Sequence, residues 1–184
     1  GYPTTLAMNG ARHVIKPNST WFGINTADFP DPEPDGQPTP WAVGDDNDGN
    51  DDENGVIIPL LTAGSPGSVT FDVSGTGGWV RGWIDFNNNK VWEMGVELVV
   101  DGYYAPGPHV VNYPVPAVSA GGETYARFRI HTGTAMLLPT GLAKDGEVED
   151  ICIYIEQGTN QCRLVSEVGA TPHCVGDCED TTQE

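Results

Sequence analysis

Basic residues are scarce in this chain. Its 184 residues include 8 Lys and Arg against 26 Asp and Glu, which gives a formal net charge of -18. Nucleic acid and anionic membrane surfaces would repel such a chain, so neither is expected as a partner. Long hydrophobic runs are also missing, which argues against insertion into a membrane.

Helical periodicity and catalytic motifs are missing too. An apolar repeat of 3.6 residues never persists for the length of a normal helix. The chain has four His, but no nucleophile–base motif, phosphate-binding Gly loop or zinc-hydrolase spacing accompanies them. We therefore expect that the protein is not an enzyme.

Cysteine is confined to the last part of the chain, at Cys152, Cys162, Cys174 and Cys178. An even, clustered set predicts two disulfides and an oxidising compartment, and the sequence leaves all three pairings open. The alternative is a zinc site that includes His173, but its adjacency to Cys174 is poor ligand spacing. The disulfide interpretation predicts a secreted or cell-surface protein whose signal peptide has already been removed.

Turn residues and aromatic side chains, in contrast, are abundant. The chain has 24 Gly and 15 Pro, with Trp 5, Tyr 6 and Phe 5 to supply apolar surface. Short segments of strand character alternate with these turns, which predicts an all-β fold with almost no helix: an antiparallel β-sandwich, or jelly-roll-like fold, with long loops rich in Pro and Asp. The predicted strands are residues 13–15, 56–60, 68–73, 79–86, 96–100, 109–113, 124–130 and 147–155.

Two regions follow from this pattern. Residues 1–157 are predicted to form the sandwich with an N-terminal arm, and residues 158–184 a polar, Cys-containing tail. The segment 79–86 carries bulky groups on both of its alternating faces, so we expect a central strand with one face in the core and the other under loops.

An acidic loop at residues 44–55 places six carboxylates among Asn and Gly. Such a run repels itself, yet an apolar strand follows directly, so a hard cation, Ca²⁺ above all, is expected to hold it against the folded body. The alternative is a solvated acidic linker. The candidate ligands are Asp45, Asp46, Asn47, Asp48, Asp51, Asp52 and Glu53.

A second candidate cation loop begins at Asp85. Oxygen-bearing side chains stand at positions 1, 3, 5 and 9 of an EF-hand-like spacing, and position 7 would supply a backbone carbonyl. Position 6, which favours Gly, is Lys90, and the closing carboxylate comes one residue late. An Asn-rich β-turn is the alternative. The candidate donors are Asp85, Asn87, Asn89, Val91, Glu93 and Glu97.

Several blocks together resemble the GEVED domain family: residues 11–15, 33–38, 44–56, 83–87 and 146–150. The last block, Gly-Glu-Val-Glu-Asp, supplies the family's name. The resemblance implies a β-sandwich module of secreted or cell-surface bacterial proteins, often beside adhesin-like domains and without known catalysis of its own. The chain departs from the family at Asn89-Lys90, where Asp-Gly is usual, and at Ile151, where Tyr is usual.

The carboxylates of this last block alternate along a predicted strand. Glu147 and Glu149 fall on one side and Asp150 on the other. We expect Glu149 or Asp150 to complete the cation site of the acidic loop. The alternative is that these groups are solvated charges that protect a strand edge.

The leading functional prediction is a calcium-stabilised extracellular structural or adhesive module, with one or two Ca²⁺ ions. Its partners would be protein neighbours on the cell surface, or further copies that assemble through edge strands into a surface assembly or filament. The alternative is a carbohydrate-binding module that stacks glycans on aromatic rings. Asn18 also begins an N-glycosylation pattern. The candidate stacking residues are Trp79, Trp83, Trp92, Tyr103 and Tyr104.

Overall fold

The structure is a computed structural model that describes residues 1–24, 29–30, 32, 35–36, 38–39 and 55–158, with the backbone of residues 163–165 and 173–175. This part of the chain contains strands and one 3₁₀ turn at Leu6–Met8, and no α-helix. Accordingly, no helix among the described residues is long and apolar enough to cross a membrane.

The larger sheet has five strands. Its members are β4 (Leu61–Thr62), β6 (Gly78–Ile84), β7 (Leu98–Tyr104), β9 (Gly122–His131) and β11 (Glu147–Glu156). They lie in the order β4-β11-β9-β6-β7. All neighbours are antiparallel except β4, which runs parallel to β11.

The second sheet is built around β5 (Pro66–Gly75). On one side β5 pairs with β8 (Gly107–Pro114), and on the other with β2 (Thr20–Phe22) and β3 (Val56–Ile57), all antiparallel. These two sheets contain the strands that the sequence predicts from residue 56 to residue 155.

Two small strand pairs complete the described elements. β1 (Arg12–His13) runs parallel to β10 (Leu142–Ala143). In the tail, β12 (Arg163–Val165) pairs antiparallel with β13 (His173–Val175).

The core lies between the two sheets. Alternate residues of β5 are buried, as the period-two pattern predicts. Gly82 on β6 leaves room for an aromatic ring from β9, because a Cβ at this position would stand 2.2 Å from Cε1 of Phe128. The predicted all-β, sandwich-like fold is confirmed. The core includes Phe22, Val69, Phe71, Val80, Ile84, Phe128, Ile130 and Ile155.

The outer face of the larger sheet is covered by loops over part of its width. Trp83 on β6 packs there with Trp92, Leu137 and Ala143 in a second buried cluster. The prediction that residues 79–86 form a central strand between a core and covering loops is confirmed.

The outer edge of β8 is poor in hydrogen-bond donors. Asp72 lies opposite Pro108, and its backbone groups bond Gly55 and Gly23 on the far side of β5. Pro108 and every second residue after it therefore direct their backbone groups toward the outer edge of β8. At this edge Pro108 and Pro114 have no N–H to donate. Proline at these positions discourages the addition of another strand.

Candidate metal centre

The ends of the loop between β6 and β7 meet at two buried carboxylates. Asp85 follows β6, Glu97 precedes β7, and both side chains are fully buried. The backbone N–H of Ile84 donates to the carbonyl of Glu97 at 2.9 Å, which brings the two ends together. Asp85 and Glu97, the first and last predicted metal ligands of this loop, are thus adjacent.

Side-chain oxygens at alternate positions turn toward the interior of the loop. Asp85 Oδ1 accepts from the backbone N–H of Asn89 at 3.1 Å, and Oδ2 accepts from that of Lys90 at 2.9 Å. Asn87 Oδ1 accepts from Asn89 N at 2.9 Å, and Asn89 Oδ1 from Val91 N at 2.8 Å. Residues 85, 87 and 89 turn the chain back through side-chain-to-backbone hydrogen bonds, a geometry common to Asn-rich turns and to cation-binding loops.

Glu93 closes the open side of this group. Its Oε2 accepts from Asn87 Nδ2 and its Oε1 from Asn89 Nδ2, both at 3.1 Å. The structure therefore brings the predicted metal ligands at positions 1, 3, 5 and 9 into one hydrogen-bonded group. Val91, the predicted backbone donor at position 7, is joined to the group through its N–H.

Glu97 is held by two backbone donors, Phe86 N at 3.1 Å and Glu93 N at 2.9 Å. Burial raises the pKa of Glu97, and the negative charges of Asp85 and Glu93 raise it further, although its hydrogen bonds act in the opposite direction. Three carboxylates near one another in this way disfavour their own ionisation, and a bound cation would relieve that cost.

Lys90 occupies the position where such loops favour Gly. Its φ is +72°, in the left-handed region. The ammonium bonds Asn88 Oδ1 and lies 5.1 Å from the ring centre of Tyr2 and 5.8 Å from that of Tyr125. A positive charge thus stays close to the oxygen group, where it would oppose a cation.

Tyr2 ties the N-terminal segment to this loop. Its hydroxyl donates to Asp85 Oδ2 at 2.6 Å, and its ring packs 4.6 Å from that of Trp92. Burial and the contact with Asp85 raise the pKa of Tyr2. No local sequence pattern indicates this contact, because it joins residues that are 83 positions apart.

The acidic loop at residues 45–53, with all of its predicted ligands, lies outside the described residues. Its C-terminal attachment is described. Glu149 Oε1 accepts from the backbone N–H of Gly55 at 3.1 Å, and Glu147 Oε2 from that of Phe22 at 2.5 Å. Gly55 leaves no room for a side chain, since a Cβ would stand 2.3 Å from Cβ of Phe22. These two carboxylates therefore join β11 to the opposite sheet.

Asp150 faces away from Glu149, as the predicted alternation requires. Its Oδ1 and Oδ2 accept from Arg127 Nε at 2.6 Å and Nη2 at 2.5 Å. Of the two residues expected to complete the acidic loop's site, the structure places Glu149 at the end of that loop and Asp150 in an ion pair on the other face.

Two buried arginines on β9 were not singled out from the sequence. Arg127 stacks 4.1 Å from the centre of the Trp92 ring. Arg129 uses all five N–H donors, on His13 Nε2 and four backbone carbonyls. Burial and the charge of Arg127 lower the pKa of Arg129 to about 9, so its charge persists at neutral pH. Alternation with buried Ala126, Phe128 and Ile130 would have placed both arginines on the outer face of the sheet.

The remaining predicted sites are only partly described. Cys152 is a free thiol whose pKa is raised by burial. Cys162 and Cys178 lie outside the described residues, and only the backbone of Cys174 is described. Asn18 is exposed, as a glycosylation site requires. Among the five predicted stacking aromatics, Trp83 and Trp92 are buried, whereas Trp79 and Tyr103 are 41% and 54% exposed.

No group of three His, Cys, Asp or Glu with the geometry of a metal site occurs in the part of the chain that the structure describes. A cation in the loop after β6 would therefore need the Asn amide oxygens in addition to the carboxylates. Such oxygen donors suit a hard cation such as Ca²⁺ and not zinc or copper.

A family model for the GEVED domain matches residues 79–154. The match covers β6 to β11, with the loop of Asp85 and the Gly146–Asp150 block, and three of the blocks noted in the sequence lie before it. Searches of curated proteins and of solved structures found no significant match. The family resemblance is confirmed over this region, residues 79–154.

Proposed function

We propose that this chain is a calcium-stabilised structural or adhesive module of an extracellular protein, without catalytic activity of its own. The observation that carries the proposal is the loop after β6, where Asp85, Asn87, Asn89 and Glu93 form one group of oxygen-bearing side chains next to buried Glu97. Calcium reaches concentrations outside cells that suit sites of modest affinity.

The electrostatics of the chain support this proposal. The formal net charge is -18, and self-repulsion of this kind weakens a compact state. One or two Ca²⁺ ions would remove about 2 to 4 of these negative charges. A second ion would belong to the acidic loop at residues 45–53, which Glu149 anchors through Gly55.

The proposed partners are protein neighbours on a cell surface, or further copies of the chain that meet at sheet edges to build an assembly or filament. The prolines on the outer edge of β8 disfavour pairing there. The outer edge of β7 is therefore the proposed place for strand addition.

Thermal unfolding in millimolar Ca²⁺, and again after chelation, tests the proposal. At a Ca²⁺ concentration 100 times the dissociation constant, one site contributes about 2.7 kcal/mol. For a domain of this size that corresponds to a rise in melting temperature of roughly 5–10 °C. Bound metal is counted on the same sample, with one or two Ca²⁺ per chain expected.

Variants separate the two loops. Glu93 is exposed, so Glu93→Gln is expected to keep the calcium-free stability while Ca²⁺ affinity at this loop falls roughly tenfold, as the loss of one ligand charge predicts. The matched control is Glu156→Gln, which removes an exposed carboxylate at the end of β11. A double Asp45→Asn, Asp46→Asn variant reports on the acidic loop. An unchanged melting temperature in wild type with no bound metal would refute the proposal.

A further inference from the structure

A cleft of about 160 Å³ opens on the outer face of the larger sheet, beside the start of β6. Trp79, Arg81, Asp101, His131 and Met136 line it. It lies away from the candidate cation loop, which leaves β6 at the other end. The cleft belongs to none of the contacts assigned above.

Aromatic rings form a row across three strands at this cleft: Trp79 and His131 line it, and Tyr103 adjoins Trp79. Trp79 is opposite His131 on β9 and Tyr103 on β7 in the strand register. The rings of Trp79 and Tyr103 are exposed, 6.0 Å apart, and inclined at 73°. Two exposed rings at this angle form a corner, so one ring can stack on a ligand while the other touches its edge.

An ion pair lies on the next row of the same face. Arg81 donates from Nε and Nη2 to both oxygens of Asp101, each at 2.9 Å, and from Nη1 to the carbonyl of Leu137 at 3.0 Å. The remaining two N–H groups of Arg81 have no partner among the described residues. The Asp101 side chain is 46% exposed, against 11% for Arg81. A ligand would therefore meet a fixed acceptor and a fixed donor whose charges balance.

His131 adds a buried polar atom to the lining. The residue is 5% exposed, and its Nε2 is buried without a hydrogen-bond partner in the described part of the chain. Burial lowers the pKa of His131, so the ring is neutral at pH 7. A buried, unsatisfied nitrogen in a binding cleft is a cost that a hydroxyl or a water can remove.

We propose that this cleft binds one residue of a neutral glycan, with a C–H face of the sugar on the Trp79 indole and its hydroxyls on Asp101 and Arg81. A pyranose has an apolar face and hydroxyls that both donate and accept, which matches this lining. An anionic ligand is disfavoured because Asp101 already balances Arg81 and the chain carries a net charge of -18. The volume is below the roughly 300 Å³ of a pocket for a drug-sized ligand and suits a single ring.

The test is a titration of the full chain with methyl glycosides of glucose, galactose, mannose and N-acetylglucosamine, followed by NMR of the tryptophan indole N–H groups. Methyl glucuronide serves as the anionic probe. We expect at least one neutral glycoside to shift the Trp79 signal, with an affinity in the millimolar range. The glucuronide should bind more weakly than that glycoside.

Variants distinguish a binding ring from a structural one, with binding followed by saturation-transfer NMR. Trp79→Ala is expected to weaken binding roughly tenfold, because it removes the apolar surface of the ring on which the sugar lies, whereas Trp79→Tyr retains most of it. Tyr154→Ala removes another exposed ring, on β11, and should leave binding unchanged. Thermal unfolding of each variant confirms that it is folded.

Three results would overturn the inference: no shift with any neutral glycoside, equal binding by wild type and folded Trp79→Ala, or stronger binding of the glucuronide. The proposed calcium role is judged separately, because Glu93→Gln alters Ca²⁺ affinity and leaves the cleft intact. Glycoside binding without calcium binding would refute only that role, and the converse only the cleft.

Discussion

Lys90 combines a left-handed backbone conformation with a positive charge, and substitutions can measure the effects of the two separately. A residue with a Cβ pays about 1–2 kcal/mol for this conformation, whereas Gly adopts it freely but costs about 0.5–1 kcal/mol in backbone entropy. The free energy of unfolding of Lys90→Gly should therefore be about 1 kcal/mol higher than that of Lys90→Ala. Both variants lose the same contacts with the Tyr2 and Tyr125 rings, so the difference reports the backbone alone.

The same two variants remove a positive charge from the candidate cation loop. Repulsion between an ammonium and a nearby Ca²⁺ in water is on the order of 1 kcal/mol, so Ca²⁺ affinity should rise about fivefold in both at low ionic strength and less in high salt. Urea unfolding in chelator measures the first effect, and calorimetric titration the second. Equal stability of the Gly and Ala variants would refute the strain argument. An unchanged affinity in both would show that the ammonium does not act on the loop.

Three further predictions concern buried groups. Arg129→Lys should cost about 2–4 kcal/mol by urea unfolding, because Lys supplies three donors where Arg129 satisfies five acceptors; a loss below 0.5 kcal/mol would contradict this account. Burial and the Arg129 charge lower the pKa of His13 well below its usual 6.5. At His13 the unfolded chain thus binds a proton more readily, so the contribution of His13 to stability should be complete above about pH 6.5 and fall below it by at most about 1.4 kcal/mol per pH unit. His13→Gln should flatten that profile, and a profile unchanged by the substitution would exclude His13 as its source. Gly82→Ala should lose about 1–3 kcal/mol from overpacking against Phe128, whereas Gly95→Ala, with open space around its Cβ but a φ of +116°, should lose only the cost of backbone strain.

The long strands could be predicted because their side chains alternate. β5 alternates between buried and partly buried residues, and β11 does so over most of its length. Most of β6 and β9 is buried on both faces, so there the alternation is one of residue type, as between Arg127 or Arg129 and the apolar residues next to them. The predicted start of β7 at residue 96 was two residues early. Val96 is 76% exposed, and its apolar character belongs to a turn, whereas the strand begins at Leu98.

Short strands could not be predicted in this way. β2, β4 and β10 have two or three residues each, too few for a period to be read. Their pairing depends on distant partners, as where Ile155 of β11 lies beside Leu61. Only tertiary contacts make such segments into strands.

The candidate cation loop was predicted from spacing, but its surroundings were not. The spacing from Asp85 to Glu93 involves residues close together in the chain, so it can be recognised from the sequence. Tyr2 on Asp85 and Arg127 on Asp150 are long-range contacts that no local pattern records. Lys90 appeared as a defect in the spacing, and the structure shows that it adopts the backbone conformation expected of Gly at that position.

The bonds from Glu147 to Phe22 and from Glu149 to Gly55 have a mechanical consequence. They join two positions of β11, two residues apart, to the last residue of β2 and to the residue before β3 in the other sheet. A pulling force that slides one sheet over the other would load both bonds together and could not open them in succession. Bonds loaded together resist force better than bonds that open one by one, so the carboxylates of the Gly146–Asp150 block stiffen the sandwich against shear.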